Sequence, residues 1–143
     1  MSKANHSTRQ TMADHSAAKV SVFTYYLGTY LNILGKVSTM RRVHIYDLLC
    51  GEGEYADGNQ GSALLGLRRV LQYFTEYPAE TLKVNYVLND AGASDVEAGR
   101  TKIERVRERV EQIPFAPVFN ERITIHYFSL PCAEAMSRAI ARA

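Results

Sequence analysis

The sequence predicts an α/β fold, an open parallel sheet with flanking helices, and three observations carry that expectation. Strand-like and helix-like stretches alternate three times along the 143 residues, the pattern of a layered sheet-and-helix domain. The connections have the length of single helical crossovers, which return the chain to the sheet in the same direction. The first strand ends in an aspartate followed by closely spaced glycines, within HIYDLLCGEGEYADGNQGSALLGL at His44–Leu67. In open parallel sheets ligands bind outside the carboxyl ends of the strands, so this loop is the place to seek a function.

Residues 1–13 are polar with no apolar period, and a flexible N-terminus is expected there. One domain is expected over 14–143. Val20, Phe23, Leu27, Tyr30, Leu31 and Leu34 recur at helical spacing from a candidate N-cap at Asp14 to a stop near Gly35. Gly28 within that helix costs about 1 kcal/mol relative to alanine, which predicts close packing against another backbone. RRVHIYDLL is the first strand. GSALLGLRRVLQYFTEY follows as a second helix, with Leu64, Leu67, Leu71 and Phe74 on one stripe, Pro78 beyond its end and Ser62 as its expected N-cap. LKVNYVLND is the second strand. SDVEAGRTKIERVRERVEQI reads as a third helix with Ile103, Val106, Val110 and Ile113 inward. Its charges alternate in sign, and Arg100 with Glu104 and Arg105 with Glu108 fall at pairing distance, which makes a solvated face. ERITIHYFSL is the third strand, and CAEAMSRAIARA begins another helix.

Composition narrows the classes. Apolar residues make up 46% of the chain and the net charge is +2, normal for a globular domain and too little surplus to indicate nucleic acid. No run has the length of a membrane span or the pattern of a secretion signal, so no membrane partner and a cytoplasmic location are expected. Cys50 and Cys132 stand far apart in no metal-ligand spacing. Both read as reduced, largely buried thiols, and no metal is expected.

Asp47 with Gly51 and Gly53 gives an acid, three residues, then Gly-x-Gly. The third glycine of the dinucleotide fingerprint is missing, which disfavours an NAD-type binder, and no lysine follows as in a P-loop. DLLCGEG resembles the first motif of S-adenosylmethionine-dependent methyltransferases. YADGNQGSALLGL resembles the Y-x-D-G-x-x-G-S-P-L-x-A-L stretch of the three-Cys-motif partner proteins, a bacterial family with a methyltransferase-like domain. His15, Lys19, Tyr26 and Leu34 fall where that family has its H-x-x-x-K and Y-L-x-x-x-x-I-L-like pattern. The resemblance covers roughly residues 14 to 90. Cys50 replaces a small residue, and Glu52 and Ala63 stand where proline is usual in the family.

The resemblance implies a class I methyltransferase-like Rossmann domain with S-adenosylmethionine as cofactor. Asp47, Gly51 and Gly53 would form the cofactor loop, with Glu52 within reach of the cofactor's ammonium or simply solvated. Asp90, or its neighbour Asn89, would accept hydrogen bonds from the ribose hydroxyls; the same two residues also suit the start of a turn. Ser129 would stand beside adenine, where the usual aspartate is absent. His15, Lys19, Asp57, Gly58 and Ser62 are further pocket candidates, each with a surface or capping role as its plain alternative. The implied partner is the family's three-cysteine-motif protein.

In the methyltransferase fold the first strand is central, and a fourth strand on its other side carries an Asp-Pro-like motif at the reaction site. No such segment occurs here. The expectation is therefore the N-terminal half of the domain, preceded by a helix, with no catalytic residue assigned and no methyl transfer by this chain alone. A non-catalytic cofactor-binding or interaction module is the alternative. An unpaired edge on the first strand would favour a homo-oligomer.

Overall fold

The computed structural model describes residues 14–37, 39–51, 53–54, 58–92, 96–97, 99–114 and 120–142. Residues 1–13, Glu52 and Asp57 lie outside these, as does the side chain of His15. Helix α1 (Asp14–Leu34) leads into β1 (Arg42–Asp47), α2 (Ser62–Glu76) and β2 (Lys83–Asn89). A short antiparallel pair, β3 (Val96–Glu97) and β4 (Arg100–Thr101), precedes α3 (Lys102–Glu111), β5 (Ile123–Phe128) and α4 (Cys132–Arg142).

Strands β1, β2 and β5 form a parallel sheet in the order β1-β2-β5. The alternation of elements thus produces the mixed α/β layer it predicts, because a helix between successive strands turns the chain back to the same end of the sheet. One face of the sheet supplies Ile45, Val84, Tyr86, Leu88 and Ile123 to the core. Leu64, Leu67, Val70, Leu71 and Phe74 of α2 and Val106 and Val110 of α3 pack against them. A fully buried side chain of this kind contributes roughly 1.5 to 3 kcal/mol, so these two stripes are the main source of stability. Ile113 is buried with them, and Ile103 packs at the margin.

The long helix α1 lies along α2 and contributes Leu27 and Leu31 to the core. A Cβ on Gly28 would collide with the guanidinium of Arg69, so the close approach there is to a side chain and not to a backbone. Tyr30 points outward and is 63% exposed, although its spacing placed it on the inner stripe.

The third helix begins later than its sequence suggests. Val96–Glu97 and Arg100–Thr101 form the β3-β4 pair, and α3 starts after Thr101, whose side chain accepts from the Glu104 N–H while the Glu104 carboxylate accepts from the Thr101 N–H. This reciprocal cap outcompetes helix propensity upstream, since it satisfies two otherwise orphaned donors. Glu104 is thereby used in the cap, and Arg100 pairs with Glu108 instead. Ser62 departs from expectation too: the N-cap of α2 is Gly61, with no side-chain cap. Cys50 is buried, Cys132 half-buried, and both are free thiols. Among the described residues no helix is long and apolar enough to cross a membrane.

Candidate functional site

The register sets Asp47 opposite Leu88 and Asn89 opposite Phe128, so the three strands end together and their loops converge. Asn89 joins them. It has no exposed surface; its Nδ2 donates to the carbonyls of Leu48 and Leu130, each at 3.0 Å, and its Oδ1 accepts from the Leu130 N–H at 3.1 Å. Its own carbonyl accepts from the Cys50 N–H at 3.0 Å. Every polar end of this residue is spent on backbone, so Asn89 fixes the strand ends and Asp90 is the residue that faces the loops.

The Asp90 carboxylate spans two of those loops. Oδ2 accepts from the Gly51 N–H at 3.0 Å and Oδ1 from the Gly92 N–H at 2.9 Å. The second bond makes a local Asx-type turn, as Asp followed two residues later by glycine suits. The first ties the glycine loop after β1 to the end of β2. A carboxylate can accept about four hydrogen bonds, so capacity remains on both oxygens.

The two glycines play different parts. Gly51 has φ of 65°, and a Cβ built there would meet nothing within 4 Å. Its bare face opens onto space. Gly53 has φ of 87°, but its Cβ would lie 2.9 Å from Cγ2 of Val106 and 3.5 Å from Cγ of Leu64. Gly53 is therefore a packing glycine that seats the loop on α3. The rest of the loop is tied down by the Gly61 N–H donating to the Gly53 carbonyl at 2.8 Å, by a bridge between Glu54 and Gln60, and by the Glu54–Arg109 ion pair. That ion pair joins residues far apart in sequence, and nothing in the local pattern marks it.

Asp47 is half-buried, and the Ser62 hydroxyl donates to its Oδ2 at 2.5 Å. Burial raises its carboxyl above the ordinary value; the Ser62 hydroxyl and the Leu49 backbone lower it, and the nearby Asp90 charge raises it. Burial also pushes the Cys50 thiol well up, helped by Asp47 and Asp90. Cys50 is packed in the core, where burial favours its protonated form. Ser129, just past β5, has a buried hydroxyl oxygen without a hydrogen-bond partner among the described residues.

The strand ends thus bring together Asp47, Gly51, Asp90 and, through Asn89 and Leu130, the segment that holds Ser129. Lys19 is exposed on α1. Gly58 is exposed at the outer turn of the loop, with φ of 85°. Gly92, which anchors Asp90, is an addition to the predicted set; Asp90-Ala91-Gly92 is its signal in the sequence.

The chain matches no family model, no curated protein and no solved structure.

Proposed function

We propose that the loops after β1, β2 and β5 bind S-adenosylmethionine, and that the chain is the cofactor-binding part of a methyltransferase-like Rossmann domain of the three-Cys-motif partner kind. The observation that carries this reading is the hydrogen bond between the Gly51 N–H and the Asp90 carboxylate. It supports a single cradle in which an open glycine backbone and a carboxylate with spare acceptor capacity stand side by side.

The residues suit this cofactor's chemistry. A vicinal ribose diol donates two hydrogen bonds, and bonds to a charged acceptor are the stronger kind. Asp90 is held in place by two backbone amides, so little ordering is left to be done on binding. The unpartnered Ser129 hydroxyl gains a partner if a heteroaromatic base sits beside it, which offsets the cost of an unsatisfied buried group. Burial chiefly raises the Asp47 carboxyl and the neighbouring Asp90 adds to it in a smaller way, and a ligand carrying sulfonium and ammonium charge complements two carboxylates set side by side. A dinucleotide, whose pyrophosphate is anionic, meets the opposite field. When bound, the cofactor supplies an electrophilic methyl group.

Calorimetric titration with S-adenosylmethionine and S-adenosylhomocysteine tests the site. Asp90→Asn keeps the side chain's size and removes its charge and one acceptor. It should weaken binding about tenfold or more, since hydrogen bonds to charged groups are worth about 1.5 to 3 kcal/mol. No heat from the unsubstituted chain, or equal affinity in the variant, refutes the assignment.

A further inference from the structure

We infer that the chain forms a two-fold symmetric dimer in which β1 pairs antiparallel with β1 of a second copy and the two α1 helices meet over the junction. It rests on the β1 edge and the surface beside it and not on cofactor binding; the fold of the proposed function sets a fourth strand at this same edge, so the dimer is the arrangement of these 143 residues.

The first ground is the free edge. The Arg41 carbonyl accepts from the Lys83 N–H, and Arg42 stands opposite Lys83. In a parallel ladder alternate residues bond to the neighbour, so Arg41, Val43, Ile45 and Asp47 face β2. The backbone groups of Arg42, His44 and Tyr46 point away from it. β1 ends the sheet order, and no described strand lies on that side. An exposed row of donors and acceptors is a template for another strand.

The second ground is the surface beside that edge. Phe23, Tyr26, Tyr30, Val43 and Tyr46 line a groove between α1 and β1. Outside it runs a stripe of α1, with Val22 54%, Tyr25 71%, Tyr26 63%, Tyr30 63% and Ile33 58% exposed. No charged residue occurs between Lys19 and Lys36. Tyrosine-rich, charge-free composition is that of an interface core. With aromatic side chains each burying about 150 to 250 Å², this stripe and the β1 edge offer an area near the about 800 Å² per partner of a standard interface.

The register points to a second copy as the occupant. A two-fold axis through His44 sets His44 against the partner's His44, Arg42 against the partner's Tyr46, and Val43 against the partner's Ile45. All three outward-facing residues then find outward-facing residues, on matching faces of the sheet. The Arg42 guanidinium meets a tyrosine ring twice, and the apolar pair also forms twice. A patch used by both copies must complement itself, and an uncharged stripe does so.

The arrangement makes a sharp geometric demand. Hydrogen-bonded antiparallel partners have Cα atoms about 5.5 Å apart, within the span of a disulfide. In the intact chain carrying Cys132→Ser, His44→Cys should cross-link to a covalent dimer under mild oxidation, while Ile140→Cys on α4, 70% exposed, should not. Sedimentation equilibrium should give twice the 16.1 kDa chain mass. Tyr30→Glu, a solvent-exposed change whose fold circular dichroism checks, should raise the dissociation constant at least tenfold. A monomer at high micromolar concentration leaves the edge to some other polypeptide and overturns the proposal. So does a dimer that Tyr30→Glu leaves unchanged, or one in which Ile140→Cys cross-links and His44→Cys does not.

Discussion

Asp47 carries a cost that its surroundings only partly offset. Its carboxyl is raised above 3.8 chiefly by burial, against the lowering hydrogen bonds from Ser62 and Leu49. The folded chain therefore keeps this proton over a range above 3.8 in which the unfolded chain has lost it, and stability falls as pH rises through that window. Asp47→Asn keeps an acceptor for Ser62 and cannot ionise. Thermal melts should show the variant at least as stable as the parent near neutral pH, with its advantage vanishing below 3.8; a variant less stable at neutral pH contradicts this sign. Asp47, Gly51 and Asp90 were legible in the sequence because an acid or a glycine at a strand end is a local signal. The Ser62–Asp47 bond and the packing of Gly53 on Val106 were not, since each joins residues from different elements.

At the scale of elements, α3 shows what seats the glycine loop. Val106 is fully buried and touches the place where a Gly53 side chain would stand. Val106→Asp buries a charge with no partner supplied for it and should cost several kcal/mol, enough to abolish a cooperative melt. Thr101→Ala removes one half of the reciprocal cap and should cost about 1 kcal/mol. A melting temperature unchanged by Thr101→Ala would mean that the cap does not set the start of the helix. The inward stripe of α3 was readable from its 3–4 spacing. Its start was missed because the apolar spacing was extended back through weak helix formers such as Asp95, Val96 and Gly99; Gly99, at φ of 78°, makes the turn between β3 and β4. Tyr30 shows the converse error: a periodic pattern cannot tell an inner stripe from an outer one when both are apolar.

Across the whole molecule, the alternation of strands and helices was enough to predict a parallel sheet, because a crossover leaves the chain no other way back. The strand order β1-β2-β5 was not in the periodicity, because alternation fixes the direction of each strand and not its neighbour. The second face of the sheet is only partly covered. His44, Tyr46, Val87, His126, Leu130 and Ala139 line a cleft of about 190 Å³ there, beneath α4. It is a rival to the strand-end loops as a ligand site. Amide chemical-shift mapping during titration with S-adenosylhomocysteine separates the two most directly. Binding at the strand ends predicts that the Gly51, Asp90, Gly92 and Leu130 amides shift together and saturably, while those of His44, Val87 and Ala139 stay in place. Shifts confined to His44, Val87 and Ala139, or none at saturating ligand, would contradict it.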